Sequence, residues 1–196
     1  MTGYISPNSI IDANVEIGSN VWIWHFSHVR DGTILSKNVS IGEHCYIGPN
    51  TLIGQGSKIQ NGVQLHDKTV LEEGVFIGPG VIITNDKRPR AVDSNGRRLE
   101  VFEWSKASCF IGSGASIGAG SIIISPIRIG NWAMIGAGST VTKDVPSHAL
   151  VVGNPARFVS WVGFRGEKLV KRDEIWVSED TGDFFSAYEF GLELNG

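Results

Sequence analysis

Two sets of polar residues recur at intervals of eighteen in this 196-residue chain. The first is Asp12, Arg30, His66 and Thr84, with Gly48 between Arg30 and His66. The second lies one residue on: Asp31, Asp67 and Asn85, followed directly by Asp86. His66 is a proton acceptor suited to neutral pH, with a reference pKa of about 6.5. The Asn85 amide can orient an amine or donate to a developing oxyanion. Asp67 or Asp86 can hold an ammonium group before it loses its proton. Together these residues suit the deprotonation and orientation of an amine nucleophile. They act as a set only if the fold places residues eighteen apart side by side. Under the same condition Trp24, His25, Glu43, Gln60 and Asn61 form a second polar group on the next face.

The elements that would position them are visible as a six-residue ruler. Ile5, Ile11, Ile17, Ile23, Val29, Leu35, Ile41, Ile47, Ile53, Ile59, Leu65, Leu71, Ile77 and Ile83 are all aliphatic. The phase is lost after Arg88 and returns at Ile111, Ile117, Ile123, Ile129, Ile135 and Val141. With that residue as position one, position five is small or β-branched, as at Val21, Ser27, Thr33 and Val39. Position four is Gly or Asn in 13 of 20 hexads, and these residues tolerate positive φ cheaply. Each hexad therefore reads as a short strand and a corner. A helix is excluded, because a period of six drifts around a 3.6-residue wheel. The turns recur too evenly for a hairpin sheet. The spacing predicts a parallel β-solenoid of three hexads per coil, about seven coils tall, stacked at about 4.8 Å.

Composition narrows the function classes. The formal net charge is −3, with 17 Lys and Arg against 20 Asp and Glu, so no concentrated basic face for nucleic acid is expected. The longest apolar runs, such as Ile122-Ile123-Ile124, fall far short of the roughly 20 residues that span a bilayer, so no membrane insertion is expected. Met1-Thr2-Gly3-Tyr4 carries no basic region ahead of an apolar core, and Cys45 and Cys109 form no CxxC pair. A cytoplasmic location is the expectation.

Residues 88–108 break the ruler and must leave the wall as a loop, read here as a flap over a site. It carries a Ser94-Asn95-Gly96 turn signal and Trp104. Val152-Gly153-Asn154-Pro155-Ala156-Arg157 closes the solenoid, so residues 1–157 form one unit. Residues 158–196 form an extension. In it, Glu174–Ser178 and Phe184–Tyr188 flank a turn and predict a β-hairpin that caps the open end.

Over about residues 3 to 157 the pattern resembles the left-handed parallel β-helix of the hexapeptide-repeat acyltransferases. The resemblance implies the left hand of the coil, an all-β fold and a homotrimer with sites between subunits. Gly78-Pro79-Gly80-Val81-Ile82-Ile83-Thr84-Asn85-Asp86-Lys87-Arg88-Pro89-Arg90-Ala91 is similar to the G-P-x-V-x-x-T-N-D-x-x-P-R-A stretch of N-acetyltransferases acting on 3-amino nucleotide sugars. That likeness implies a UDP- or dTDP-linked amino sugar as substrate, in bacterial surface polysaccharide assembly. It places Asn85 near the sugar amine. Several members of that subgroup use no protein general base, which sets Asn85 above His66. Lys58–Val63 shares the likeness and places Gln60 and Asn61 near the sugar or nucleotide. Arg30, Arg88 and Arg90 suit a carboxylate or a pyrophosphate equally, and His25 joins the substrate-binding candidates. The family implies acetyl-CoA as acyl donor, lying along the C-terminal coils past Ala119, Gly120, Ala137 and Gly138. Lys143 and Arg157 are then candidates for its phosphates. Related tails carry cysteines and this one has none, so no metal is expected.

Three other readings compete. O-acetylation of a sugar hydroxyl would make a histidine base indispensable. A zinc-dependent carbonic anhydrase of the γ class, which shares the fold, needs three converging histidines. The five here fall in unrelated columns, with His44 at a corner and His148 past the last hexad. A non-catalytic trimeric scaffold leaves the polar corner and the flap without a purpose.

Overall fold

The computed structural model describes residues 3–100 and 108–195. Trp104 and the end of the inserted loop lie outside them. No helix occurs among the described residues, and strands of two or three residues recur every six positions from Tyr4–Ile5 to Ile82–Ile83 and again from Cys109–Ile111 to Thr140–Val141. They form three flat parallel sheets. The first face carries eight parallel strands, from Tyr4–Ile5 to Ala149–Gly153, the second seven and the third six. The first face is thus one strand taller than the seven coils expected. Register confirms the ruler, since Tyr4 pairs with Trp22, Lys58 with Phe76 and Ser116 with Met134.

The interior is a set of vertical ladders. Ile23, Val29, Leu35, Ile41, Ile47, Ile59 and Leu65 at position one are fully buried. Each contributes about 1.5–3 kcal/mol by leaving water. Position five fills the corners and also serves the backbone there. Ser27 donates to the Gly42 carbonyl at 2.7 Å and accepts from Cys45 N at 2.9 Å. Thr51 and Thr69 donate to the Gly48 and His66 carbonyls at 2.7 and 2.8 Å. A small hydroxyl fits where an aliphatic chain would leave a buried carbonyl short of a donor.

Position four takes positive φ at its glycines and at Asn20, Asn38 and Asn50, but not at Asn8 or Asn14 in the first coils, and it does so also at Phe26 (59°), His44 (56°), Lys68 (59°) and Trp132 (57°). For such residues that conformation costs about 1–2 kcal/mol. At Trp132 the reason is visible, because its ring meets Phe164 edge-on at 4.8 Å and docks the C-terminal extension.

The insertion has a measurable size. Ile83 pairs with Ile123, forty residues on instead of eighteen, so twenty-two extra residues leave the wall without disturbing the register around them. The described part of the loop makes a small turn. Asp93 Oδ1 accepts the N–H groups of Asn95 and Arg97 at 2.9 and 3.0 Å, and Val92 bridges Arg98.

The extension is larger than the single hairpin expected. Ile175–Val177 and Phe184–Tyr188 do pair antiparallel, but Val170–Arg172 and Gly191–Leu194 complete a four-stranded sheet. Leu169, Phe185 and Leu192 give it a separate small core. The strand Ala156–Trp161 folds back on Ala149–Gly153 and covers the last edge of the first face. The sheet is held to the solenoid at one corner. Ser147 Oγ lies 2.7 Å from Tyr188 Oη, and the Arg128 guanidinium sits between the Phe110 and Phe190 rings at 5.5 and 5.0 Å. His148, only 3% exposed, sits against Phe164 and Phe185, and its Nδ1–H donates to the Val162 carbonyl at 2.9 Å.

Two consequences are measurable. Leu65→Ala opens the middle of the interior ladder and is expected to cost about 2–5 kcal/mol in denaturant unfolding. Burial holds the His148 imidazole below its usual 6.5, against the opposing pull of the Val162 carbonyl and Glu167. The folded state therefore binds fewer protons, and this contribution is complete above pH 6.5 and is lost as pH falls toward the lowered value. The melting temperature should fall on acidification below pH 6.5 more steeply than in His148→Asn, which keeps a residue tolerant of positive φ but cannot titrate.

Candidate active site

The loop departs where the sequence places its amine-binding chemistry. Beyond Ile82–Ile83, Thr84 Oγ1 accepts the Ser125 N–H at 3.2 Å, tying the departure point to the next coil. Asn85, Asp86, Pro89, Arg90 and Ala91 then line a cavity of about 320 Å3. Asn85 does not have positive φ, so the corner itself makes no demand for asparagine there. Asp86 Oδ1 accepts the Arg88 N–H at 2.8 Å, a local turn that directs the loop outward. The Arg88 side chain is exposed and is not among the residues lining the cavity.

His66 and Asp67 occupy the same edge one coil below, as the pairing of Leu65 with Ile83 requires. Both are half-buried, and no hydrogen bond joins either side chain to Asn85 among the described residues. Arg30 shares the edge but lies two further coils away, on the order of 10 Å below His66 at the strand spacing. The predicted residues therefore share one edge in two adjacent columns, and of them only Asn85 and Asp86 share a cavity, which the loop residue Arg90 also lines.

Arg30 also has company that the residue types alone did not announce. Its Nε donates to Asp12 Oδ2 at 2.9 Å and its Nη1 to Tyr46 Oη at 3.2 Å. His28 Nε2 lies 3.0 Å from Asp12 Oδ1, and the Asp31 N–H donates to Oδ2 at 3.1 Å. The Tyr46 ring stands 5.6 Å from that of His66. This network continues the polar edge across the second face. Asp12 already stood in the first eighteen-residue set, and His28 and Tyr46 were findable, because outward residues eighteen apart stack as surely as corner ones. The carboxyl of Asp12 is held down at about 2, first by His28 and then by Arg30, against the upward pull of burial.

His25, Gln60 and Asn61 lie on the neighbouring edge, between the first and second faces. Asn61 Oδ1 accepts the Glu43 N–H at 2.9 Å, and His25 Nδ1 stands 3.6 Å from Glu43 Oε1. Ala119, Gly120, Ala137 and Gly138 are exposed farther along the same edge. A Cβ at Gly120 or Gly138 would meet no atom within 4 Å, so a ligand chain can approach the backbone there. At the C-terminal end of the prism Lys143 and Arg157 do come together, lining a cavity of about 300 Å3 with Thr142, Asp144 and Phe158. Among the described residues no cluster of three His, Cys, Asp or Glu is placed to hold a metal ion.

Two family models match the chain. One, bacterial transferase hexapeptide (six repeats), covers residues 108–143, and one described as the GMPPB C-terminal domain covers residues 1–88. The six-residue period of residues 108–143 is the same one that runs from Ile5 to Ile83. A relative of this hexapeptide-repeat chain, dTDP-3-amino-3,6-dideoxy-alpha-D-galactopyranose 3-N-acetyltransferase of Aneurinibacillus thermoaerophilus, is 57% identical over 49 residues, 25% of this chain and 26% of that protein. The chain spans about a quarter or less of the length of the curated relatives it matches first. Among solved structures, the polySia specific acetyltransferase NeuO is similar with a TM-score of 0.55 and 21% identity, over 85% of this chain and 84% of that one. The acetyltransferase domain of PglB from Neisseria gonorrhoeae FA1090 aligns with a TM-score of 0.51 and 18% identity, over 80% and 57%. These structural likenesses show the solenoid fold.

The Asp12 network makes a spectroscopic prediction. A carboxyl 13C titration should place the Asp12 midpoint near 2, and His28→Ala should move it up toward the ordinary 3.8. An unmoved midpoint would show that His28 does not hold it.

Proposed function

We propose that this chain is an acetyltransferase that moves an acetyl group from acetyl-CoA to the 3-amino group of a nucleotide-linked sugar, in surface polysaccharide assembly. The observation that carries this reading is the conformation of Thr84 to Ala91. The stretch that resembles the 3-N-acetyltransferases does not continue the wall but turns out of it and lines a cavity with Asn85, Asp86 and Arg90. The relative that acts on a dTDP-3-amino sugar supports the same substrate class.

In this reading Asn85 orients the sugar amine or donates a hydrogen bond to the oxygen that gains charge. Asp86 presents a carboxylate beside it, with one oxygen engaged by the Arg88 N–H and the other able to hold the ammonium form. Arg90 offers a cation at the cavity wall for a carboxylate or phosphate. Asp67 continues the same edge toward the N-terminal coils. No carboxylate stands within ion-pair distance of His66 among the described residues, and in this reading the amine loses its proton to solvent. Acetyl-CoA, when bound, supplies the activated thioester. The small residues at Ala119, Gly120, Ala137 and Gly138 leave its chain room against the backbone, and Lys143 and Arg157 meet its phosphates. Sites formed between the subunits of a cytoplasmic homotrimer complete the proposal.

The test is a thiol-release assay over UDP- and dTDP-linked amino sugars. Asn85→Ala is expected to lower turnover by on the order of 10- to 1000-fold, the effect of one lost catalytic hydrogen bond. Unchanged kinetics would remove Asn85 from the mechanism. Loss of all activity in His66→Asn, with a hydroxyl sugar as acceptor, would replace N-transfer by O-transfer.

A further inference from the structure

The edge between the first and second faces begins with a stack of rings that no other part of the described chain covers. Phe26 and His44 occupy the corner position of successive coils, both at positive φ, with ring centroids 5.1 Å apart and planes 23° from parallel. Phe26 is 60% exposed, and Trp24 beside it 40%. The aromatic residues that take this conformation elsewhere, Trp132 and His148, are repaid by docking Phe164. Phe26 and His44 hold the same strained backbone, and their ring contacts among the described residues are with each other and with His25. Strain kept at an exposed position points to a function.

The stack also stops abruptly. Phe26 covers one face of the His44 ring. Above the other face, one coil toward the C-terminus, the next corner residue is Gly62, followed by Gly80, and a Cβ placed on Gly62 would come no nearer than 3.9 Å to any neighbour. One coil step, about 4.8 Å, therefore separates the His44 ring from bare backbone. Beside that step are two amides. Asn61 uses its Oδ1 for the Glu43 N–H, which leaves its NH2 group to donate outward, and Gln60 is half-buried next to it.

We propose that the exposed face of His44 is a stacking surface for the nucleobase of a nucleotide ligand. The base lies over Gly62 as the next ring of the Phe26–His44 stack. Its polar edge meets Asn61 and Gln60. Every base offers a π face, and an amide can match a donor or an acceptor on its edge. The ring surface continues from Phe26 through His25, Trp24 and Tyr4, and its His44 end is flanked by the Asn61 and Gln60 amides, which suit the polar edge of a base. The inference rests on the reading of a nucleotide-linked substrate and names the feature of this chain that would recognise the nucleotide half.

The experiment is calorimetric titration of the full chain with UMP and TMP. AMP and coenzyme A test the coenzyme as the source of the base, and ribose 5-phosphate serves as the base-free control. His44→Asn and Phe26→Asn put at each corner a residue that tolerates positive φ, so neither should lower the melting temperature. His44→Asn is expected to weaken the pyrimidine nucleotides by about 5- to 100-fold, the size of one lost base stack, and to leave ribose 5-phosphate unchanged. A loss confined to AMP and coenzyme A would keep the stacking role and assign it to the donor's adenine. Equal affinity in wild type and His44→Asn would overturn the inference, as would a changed mass in light scattering with nucleotide affinity intact. If that happens while acetyl transfer still depends on Asn85, the proposed function survives. If the wild type binds no nucleotide and transfers no acetyl group, the function itself falls.

Discussion

Vertical packing of one aliphatic side chain on another, coil after coil, is the interaction on which every other feature depends. Ile23, Ile41, Ile59, Ile77, Ile117 and Ile135 stand in one buried column because each coil returns to its starting point after eighteen residues. With most solenoid strands only two residues long, no single pairing between them has enough hydrogen bonds to hold a register. The ladders hold it instead, since a slip by one residue would drive every outward side chain into the interior. Corner hydroxyls such as Ser27 and Thr51 add the second requirement, a donor for carbonyls that the turn buries.

That rigidity explains how a twenty-two-residue insertion can be tolerated. The coils on either side of the loop keep their pairing, with Ile82 on Ile122 and Val70 on Phe110, so the loop adds entropy cost but no misalignment. A wall that does not deform is a good platform for chemistry. The residues at its departure point, Asn85 and Asp86, are aimed by a rigid coil below and a hydrogen-bonded coil above. The same reasoning applies at the other end, where Trp132, Ser147, His148 and Arg128 fasten the four-stranded extension to the last coils.

The two polar edges differ in kind. The edge carrying Asp12, Arg30, His66 and Asn85 is charged, and hydrogen bonds link Asp12, His28, Arg30 and Tyr46 across its N-terminal coils. The edge carrying Phe26, His44, Asn61 and the glycine column is aromatic at one end and bare backbone at the other. Each edge takes its character from which residue types fall at three corner positions, because the faces between them are occupied by pairing strands.

The sequence by itself determined the repeat, the three-sided coil, the position of the insertion and the columns that share an edge. A strict period converts position in the chain directly into position in space, and eighteen residues per turn leaves no freedom in that conversion. The tertiary structure decided the rest. It set how far apart along one edge Arg30 and Asn85 stand, that Asp12 and Tyr46 share the guanidinium of Arg30, and that Lys143 and Arg157 meet in one cavity. It also turned the expected hairpin into a four-stranded sheet. Long side chains reach across columns, and the segments outside the repeat have no period to read. Their positions follow from packing against surfaces that exist only once the coil has closed.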